Sequence, residues 1–478
     1  MATTISSGTN PYKKGSPPDF GTLYSGRALE FDGVADYVNT GATFQSTFRD
    51  SFTISAWVKR SDPGNHRCMI ASGDGAARDM LLFESSDKLQ FSRYDSSYIY
   101  HIKTNRLFRD PSAWIHVCVA VDTTQGTDTN RIKLYINGTQ ETSLDTSSYP
   151  TQNFDTDWNS TEKVRVGVDT DDNAEYNGNM CEVCMIDGSA LAPTSFGEFY
   201  EDSPTIWQPK DVSGLTFGTN GFYLDFEDSG TLGNDANGGT DFTLVNLDAT
   251  HQSTDTCTNN FATMNSIENT AASTFSEGNL QVLTHSGNFS YNISTIGVSA
   301  GKYYCEIKCT AQSSDENKFM VGIAGKPTAS TSDFLGENTA TDDTISYNGT
   351  DGDYQKAGTE VSYGDSYTTN DIIGIALDVD NSKLYFSKNG TFQNSGDPTS
   401  GATGTGAIST GSPSTGFWHF ALGDVDNNTT YTYQINFGNP VHSISSGNSD
   451  ANGYGNFEYA VPSGYYALNT KNLAEYGG

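Results

Sequence analysis

The stretch 371–390, DIIGIALDVDNSKLYFSKNG, places Ile373, Ile375, Leu377 and Val379 in alternation with small or polar residues. After Asp380-Asn381-Ser382 the apolar positions resume at Leu384 and Phe386, alternating with Tyr385 and Ser387. A period of two predicts strands, and the polar break predicts a hairpin. The same device occurs earlier, where Ile115, Val117, Val119 and Val121 share a face, a polar loop follows, and Ile132, Leu134 and Ile136 lead into Asn137-Gly138. Both halves therefore read as antiparallel β-structure, with one buried and one wetter face per sheet. No segment sustains a period of 3.6, so the fold class expected is all-β.

Particular phrases sharpen this reading. D-I-I-G-I-A-L-D, then K-L-Y-F-S-K-N-G-T-F and Q-I-N-F-G-N at 434–439, resemble the signature of SPRY domains over roughly residues 276 to 440. The resemblance implies a bent β-sandwich used for binding. In the first half, ALEFDGVADYVNTG is followed by SFTISAWVKR, where Phe52, Ile54, Ala56 and Val58 share a face and Trp57 takes the other. With AWIHVCVAVD, RIKLYINGTQ and GNMCEVCMIDGSALAP, this series resembles a laminin-G or concanavalin-A-like jelly roll of the pentraxin-like variety. Alternating strands with closely spaced turn signals favour a sandwich independently of that resemblance.

The chain divides by composition into four parts. Residues 1–25, rich in Thr, Ser, Gly and Pro with Lys13-Lys14 and Pro17-Pro18, read as an arm, either flexible or ordered only against a partner, and as an assembly element or virion anchor. Residues 26–203 are the expected jelly roll and 276–478 the SPRY-like sandwich with a C-terminal extension. Between them, 204–275 is Gly- and Asn-rich, yet Phe222, Leu224 and Phe226 alternate and Trp207 and Phe261 are placed to pack, so an ordered connector is expected. S-F-G-E from Ser195, G-T-N-G-F-Y-L-D-F from Gly218, T-N-N-F-A-T-M-N from Thr258 and G-Y-Y-A-L-N-T-K-N-L at 464–473 are similar to segments of virion proteins of tailed, especially marine, bacteriophages. That resemblance implies a virion location and other virion proteins as partners.

Charge and cysteine content narrow the partners. With 26 basic against 58 acidic side chains the formal charge is -32, which repels nucleic acid. Every Arg lies at or before Arg165, so the second half is the more one-sided. The longest apolar runs, such as Trp114 to Val121, are far short of the roughly 20 residues of a membrane-spanning helix, and no membrane insertion is expected. The start MATTISSGTN has neither the charged nor the apolar region of a signal peptide. Seven cysteines form no even framework, and buried free thiols are expected. Cys181 and Cys184 are three apart, which in a regular strand puts them on opposite faces and argues against a metal pair.

Few residues point to chemistry. Gly297-Val-Ser299-Ala-Gly301 matches a hydrolase nucleophile elbow, but KYYCEIK follows it as a strand where a helix is required. No strand-borne carboxylate motif for glycoside cleavage stands out. His116 alternates with Cys118 and Ala120 and reads as a packed or hydrogen-bonded imidazole. Asp169, Asp171 and Asp172 cluster hard oxygens after the strand VRVGV, a composition that suits calcium, as do Asp424, Asp426, Asn427 and Asn428 more weakly. Two clusters combine aromatic rings with polar groups able to meet a sugar: Tyr94 and Tyr98, with Tyr100 expected on the face of Tyr98, and Tyr347, Asp351, Asp353 and Tyr354, expected in an exposed loop.

The resulting expectation is a non-enzymatic, oligomeric phage fibre or adhesin that recognises a host-surface glycan or protein. A structural decoration or appendage protein is the alternative, and a polysaccharide depolymerase the third reading.

Overall fold

The computed structural model describes residues 26–40, 49–73, 77–158, 160–201, 203–289, 291–314, 316–337, 343–426 and 428–477. The arm at 1–25 lies outside them. Two compact units result: one runs to Thr258 and includes Ser276–Asn279, and the other comprises Asn259–Phe275 and the chain from Leu280 onward. The architecture is all-β, with antiparallel sheets in both units, and among the described residues no helix is long and apolar enough to cross a membrane.

The first unit is a sandwich of two antiparallel sheets. In one, Ile132–Ile136, Trp114–Asp122, Ser51–Arg60, Asn177–Asp187 and Ala28–Asp32 lie side by side. In the other, the order is Leu144–Ser148, Ser97–Leu107, Lys88–Asp95, Ala77–Phe83, Arg67–Gly73, Val164–Val166 and Tyr37–Thr40. Inward side chains at every second position, among them Ile54, Val58, Val117, Val119, Leu81 and Phe91, form the core. This is the alternation the sequence predicts.

The opposite face of the first sheet is not wet. All eleven residues of Asn177–Asp187 are buried, and outward-pointing Cys118, Cys184 and Ile186 pack with Phe196, Val212 and Phe217, while Trp57 and Cys181 pack with Trp207. The covering chain is the segment expected to be a connector. Its strand Ser203–Pro209 pairs with Gly197–Tyr200, Phe222–Leu224 extends the first sheet beside Asn177–Asp187, and Phe242–Val245 extends the second beside Tyr37–Thr40. Residues 204–258 are therefore an added layer and edge strands of the first sandwich, while 259–275 belong to the second unit. A Gly- and Asn-rich composition looks like linker because such strands are short and contribute only one or two large side chains each.

A β-bulge corrects a second expectation. Cys181 pairs with Trp57 and Cys184 with Ser55, so two residues on one strand oppose one on the other, and Glu182 adopts a left-handed φ of 53°. The extra residue shifts the phase, so Cys181 and Cys184 both face outward while Met180, Val183 and Met185 face the core. Both thiols are free and buried.

In the second unit one sheet orders Gln281–Leu283, Tyr431–Asn436, Lys302–Gln312, Ile372–Asp378 and Lys383–Lys388. The other orders Tyr291–Ile293, His419–Asp424, Phe319–Ala324, Thr344–Asn348, Asp353–Lys356 and Thr359–Ser362. The predicted hairpin forms in register from Ile373↔Lys388 to Asp378↔Lys383, and Ile373, Ile375, Leu377, Leu384 and Phe386 enter the core.

In this unit too the outer face is dry. Tyr304, Ala376 and Tyr385 are buried under Phe457, Tyr465 and Ala467 of the C-terminal segment. Glu306, on the same face, fixes that cover: its Oε2 accepts the Glu458 N–H at 2.9 Å and its Oε1 the Tyr459 N–H at 2.8 Å. Asn436 and Tyr304 add further bonds. Asp450 holds the end of the chain, accepting from the Ala467 N–H and Asn472 Nδ2.

Leu377→Ala, facing inward, is expected to cost about 2–5 kcal/mol, and Tyr385→Ala, facing outward, about 3–5 kcal/mol. Denaturant melts of the two variants check this; a change under about 0.5 kcal/mol for Tyr385→Ala, as at an exposed site, would contradict the buried outer face.

Candidate functional site

The two aromatic clusters meet different fates. Tyr347 is not in a loop: it lies in the strand Thr344–Asn348 and is fully buried. It shares the inward face with Ile345, its ring stacks on Tyr367 at 4.9 Å and Phe386 at 5.2 Å, and its hydroxyl donates to the Asp365 carbonyl. Only residues 349–352 form the turn between strands, so the Gly-rich phrase includes one core position. Tyr354 is half-buried, edge-on to Tyr363 at 5.9 Å. Asp351 is exposed and accepts the Asp353 N–H. With Tyr347 removed to the interior, this cluster does not present a shared surface of two aromatic rings.

Tyr94 and Tyr98 do come together. The strands Lys88–Asp95 and Ser97–Leu107 pair Arg93 with Tyr100 but Tyr94 with Tyr98, leaving Ile99 as an extra residue. This bulge separates Tyr98 from Tyr100, contrary to the shared face expected. Tyr100 turns inward, fully buried, and its hydroxyl donates to Asp79. Tyr98 turns outward, 46% exposed, with its ring stacked on His101 at 4.0 Å and an interplanar angle of 20°. Tyr94 meets it edge-on at 5.4 Å, and the Arg78 guanidinium lies 5.8 Å from the Tyr94 ring centre.

His101 is the residue that sequence reasoning misses, because its approach to Tyr98 depends on the bulge. Its Nε2 lies 2.9 Å from Gln90 Oε1, and Gln90 Nε2 donates to Ser92. Burial, aided by nearby Lys103, holds its imidazole below the usual histidine range. The platform is thus a tyrosine ring laid over a hydrogen-bonded imidazole on a rigid sheet. Beneath it, burial pushes the Asp79 carboxyl up to about 6 against the pull of Arg93 and Tyr100.

Ser55 and His116 resemble a nucleophile and base only in composition. Ser55 Oγ lies 2.8 Å from His116 Nε2, but Trp207 Nε1 donates to Nδ1 at 3.1 Å. An indole can only donate, so the ring proton sits on Nε2 and points at the serine, the reverse of what activation requires. Burial pushes the imidazole down to about 3. At 297–301 the chain passes through a turn directly into the strand Lys302–Gln312, so the strand–turn–helix elbow is not formed.

The candidate calcium ligands Asp169, Asp171 and Asp172 are engaged by protein groups. Arg78 binds Asp171, Arg165 Nη1 binds Asp172 Oδ1 at 2.7 Å, and Asp169 Oδ1 accepts the N–H groups of Asp171 and Asn173. Among the described residues no group of three or more His, Cys, Asp or Glu is arranged to hold a metal. In the second acidic stretch Asn427 lies outside the described residues, and Asp424 is buried, its carboxyl pushed up to about 7 by burial.

Comparison with known proteins agrees with the architecture. A family model described as the concanavalin A-like lectin/glucanases superfamily, Laminin_G_3, matches residues 32–194, and the SPRY domain model matches residues 302–408. The chain therefore carries a concanavalin-like domain followed by a SPRY domain. Similar solved structures include the SPRY domain of human HERC1, at 19% identity and TM-score 0.26, covering 33% of this chain and 87% of that one. The native heptameric SAP-like pentraxin from Limulus polyphemus is 14% identical at TM-score 0.28, covering 36% and 80%. A putative carbohydrate binding protein from Bacteroides ovatus is 16% identical at TM-score 0.31, covering 46% and 58%. No curated protein sequence matches the chain.

The Asp424 carboxyl gives a pH prediction. Its folded value near 7 lies above its ordinary 3.8, so the folded state binds the proton more tightly. Its stabilising contribution is complete below about pH 4 and is lost as the pH rises through about 7. Calorimetry should show the second unit melting at a higher temperature near pH 5 than near pH 8, with the difference reduced in Asp424→Asn.

Proposed function

We propose that this protein is a non-enzymatic adhesin that binds a host-surface glycan, with Tyr98 as the principal contact of its first domain. The observation that carries the reading is the Tyr98 ring, stacked on His101 and partly open to solvent. A pyranose presents a flat apolar face to such a ring while its hydroxyls reach polar neighbours, in this protein Arg78 and Tyr94. The lectin class in the name of the matching family supports the same ligand chemistry. The resemblance of the flanking segments to tailed-phage proteins supports a place in the virion, with other virion proteins and further copies of the chain as partners. Residues 1–25 serve in this reading as the anchor to the particle.

Tyr98→Ala should leave thermal stability within about 0.5 kcal/mol, as for an exposed site. Glycan binding on an array of host-surface polysaccharides should weaken by at least about tenfold, equivalent to about 1.4 kcal/mol. Polysaccharide incubated with the protein should release no reducing ends. Array binding unaffected by the substitution would remove the site, and no array binding at all would favour the structural-component reading.

A further inference from the structure

The outer face of the first sheet holds a lysine and an aspartate shut away from water together. Lys59 Nζ lies 2.6 Å from Asp255 Oδ2, and each side chain is only 1% exposed. Among the described residues the other lysine ion pairs leave the ammonium more open to solvent, as Lys302 does against Asp378. The comparably buried pair Arg60–Asp87 uses a guanidinium, which stays protonated and is no nucleophile. Lys59 is therefore the buried ammonium whose nitrogen can become one.

The reacting atoms are held from three sides. Lys59 stands directly opposite Trp114 in the ladder between Ser51–Arg60 and Trp114–Asp122, so both side chains rise from the same face. Trp114 Nε1 donates to Asp255 Oδ1 at 2.9 Å, while Oδ2 faces the ammonium. Asp255 follows the edge strand Gln252–Ser253, which pairs with Ala28 and Leu29, and its own N–H donates to Ser253 Oγ at 3.1 Å. Trp114 packs with Trp57, Cys181, Trp207 and Cys257, so the surroundings are apolar. In such a place the desolvation cost of two ions can exceed their mutual attraction. Condensation to an amide removes both charges and returns one water to solvent.

We propose that Lys59 and Asp255 join in an intramolecular amide, Nζ to Cγ, formed by the chain itself. One ammonium proton passes to Oδ2 across the hydrogen bond, and the freed lone pair of Nζ attacks Cγ. Oδ1 takes the negative charge beneath the indole N–H, a donor fixed where charge develops. A second proton from Nζ goes to Oδ2, which leaves as water, and Oδ1 returns to a carbonyl. Ammonium and carboxylate supply every atom of amide and water, and no oxidant or activating group takes part. The bond joins positions 196 apart and ties the end of the covering segment 204–258 to a central strand. A cross-link of that span acts mainly by restricting the unfolded chain.

The test is the intact mass of the purified full-length protein in denaturant, followed by tryptic mapping. The chain should be lighter than its sequence by the mass of one water, and the map should contain one branched peptide joining Lys59 to Asp255. Lys59→Arg keeps the positive charge and should restore the full mass. Trp114→Phe removes the donor on Oδ1 and should slow the linkage about a hundredfold or more, leaving freshly made protein largely unlinked. Full sequence mass in the unaltered protein, the mark of an ion pair and nothing more, would overturn the proposal. A loss of water that maps to another aspartate, or that persists in Lys59→Arg, would overturn it as well. The branched peptide of the unaltered protein decides the matter even if neither variant folds.

Discussion

A β-sheet whose two faces are both apolar cannot end at a two-layer sandwich, and this constraint governs both units. The strands Asn177–Asp187 and Ile372–Asp378 are buried along their whole length, so each sandwich needs a further layer of chain on its outer side. Apolar contact alone is non-directional. In each case buried polar side chains supply the direction. His116 accepts the Trp207 indole N–H in the first unit, and Glu306 accepts two consecutive backbone N–H groups in the second. The covers occupy chain that follows the family matches at 32–194 and 302–408.

With these faces closed, the Tyr98 ring is one place where the first sandwich stays open to solvent. Tyr98 and His101 sit on a paired strand whose inner side is locked by Tyr100, Asp79 and Arg93, so the platform is held rigidly. Sites on rigid elements bind with little ordering cost.

Much of the fold is legible in the sequence because period-two alternation survives wherever strands are regular. The core positions Ile375, Leu377, Val117 and Val119 can be read directly. Where the pattern misleads, it does so for identifiable reasons. Bulges at Cys181–Cys184 and at Ile99 shift the phase by one residue, which puts Cys184 and Tyr98 on faces opposite to those expected. Tyr347 reads as loop because its strand ends only one residue later, at Asn348. The dry outer faces are hidden because Tyr385 and His116 count as polar in a binary pattern, while their covers lie far along the sequence in Gly-rich chain. The Tyr94–Tyr98 pair shows in local composition, but the approach of His101 to Tyr98 depends on the bulge at Ile99, which no alternation pattern encodes.

The central claim is that the segments covering the outer sheet faces are integral layers pinned by buried polar groups, and hydrogen exchange of the intact chain tests it most directly. Amides of Phe457, Glu458 and Tyr459 should exchange as slowly as those of the strand Lys302–Gln312, and in Glu306→Ala they should become fast while the strand remains protected. Fast exchange at 457–459 in the unaltered protein would contradict the account, because a loosely held tail behaves that way.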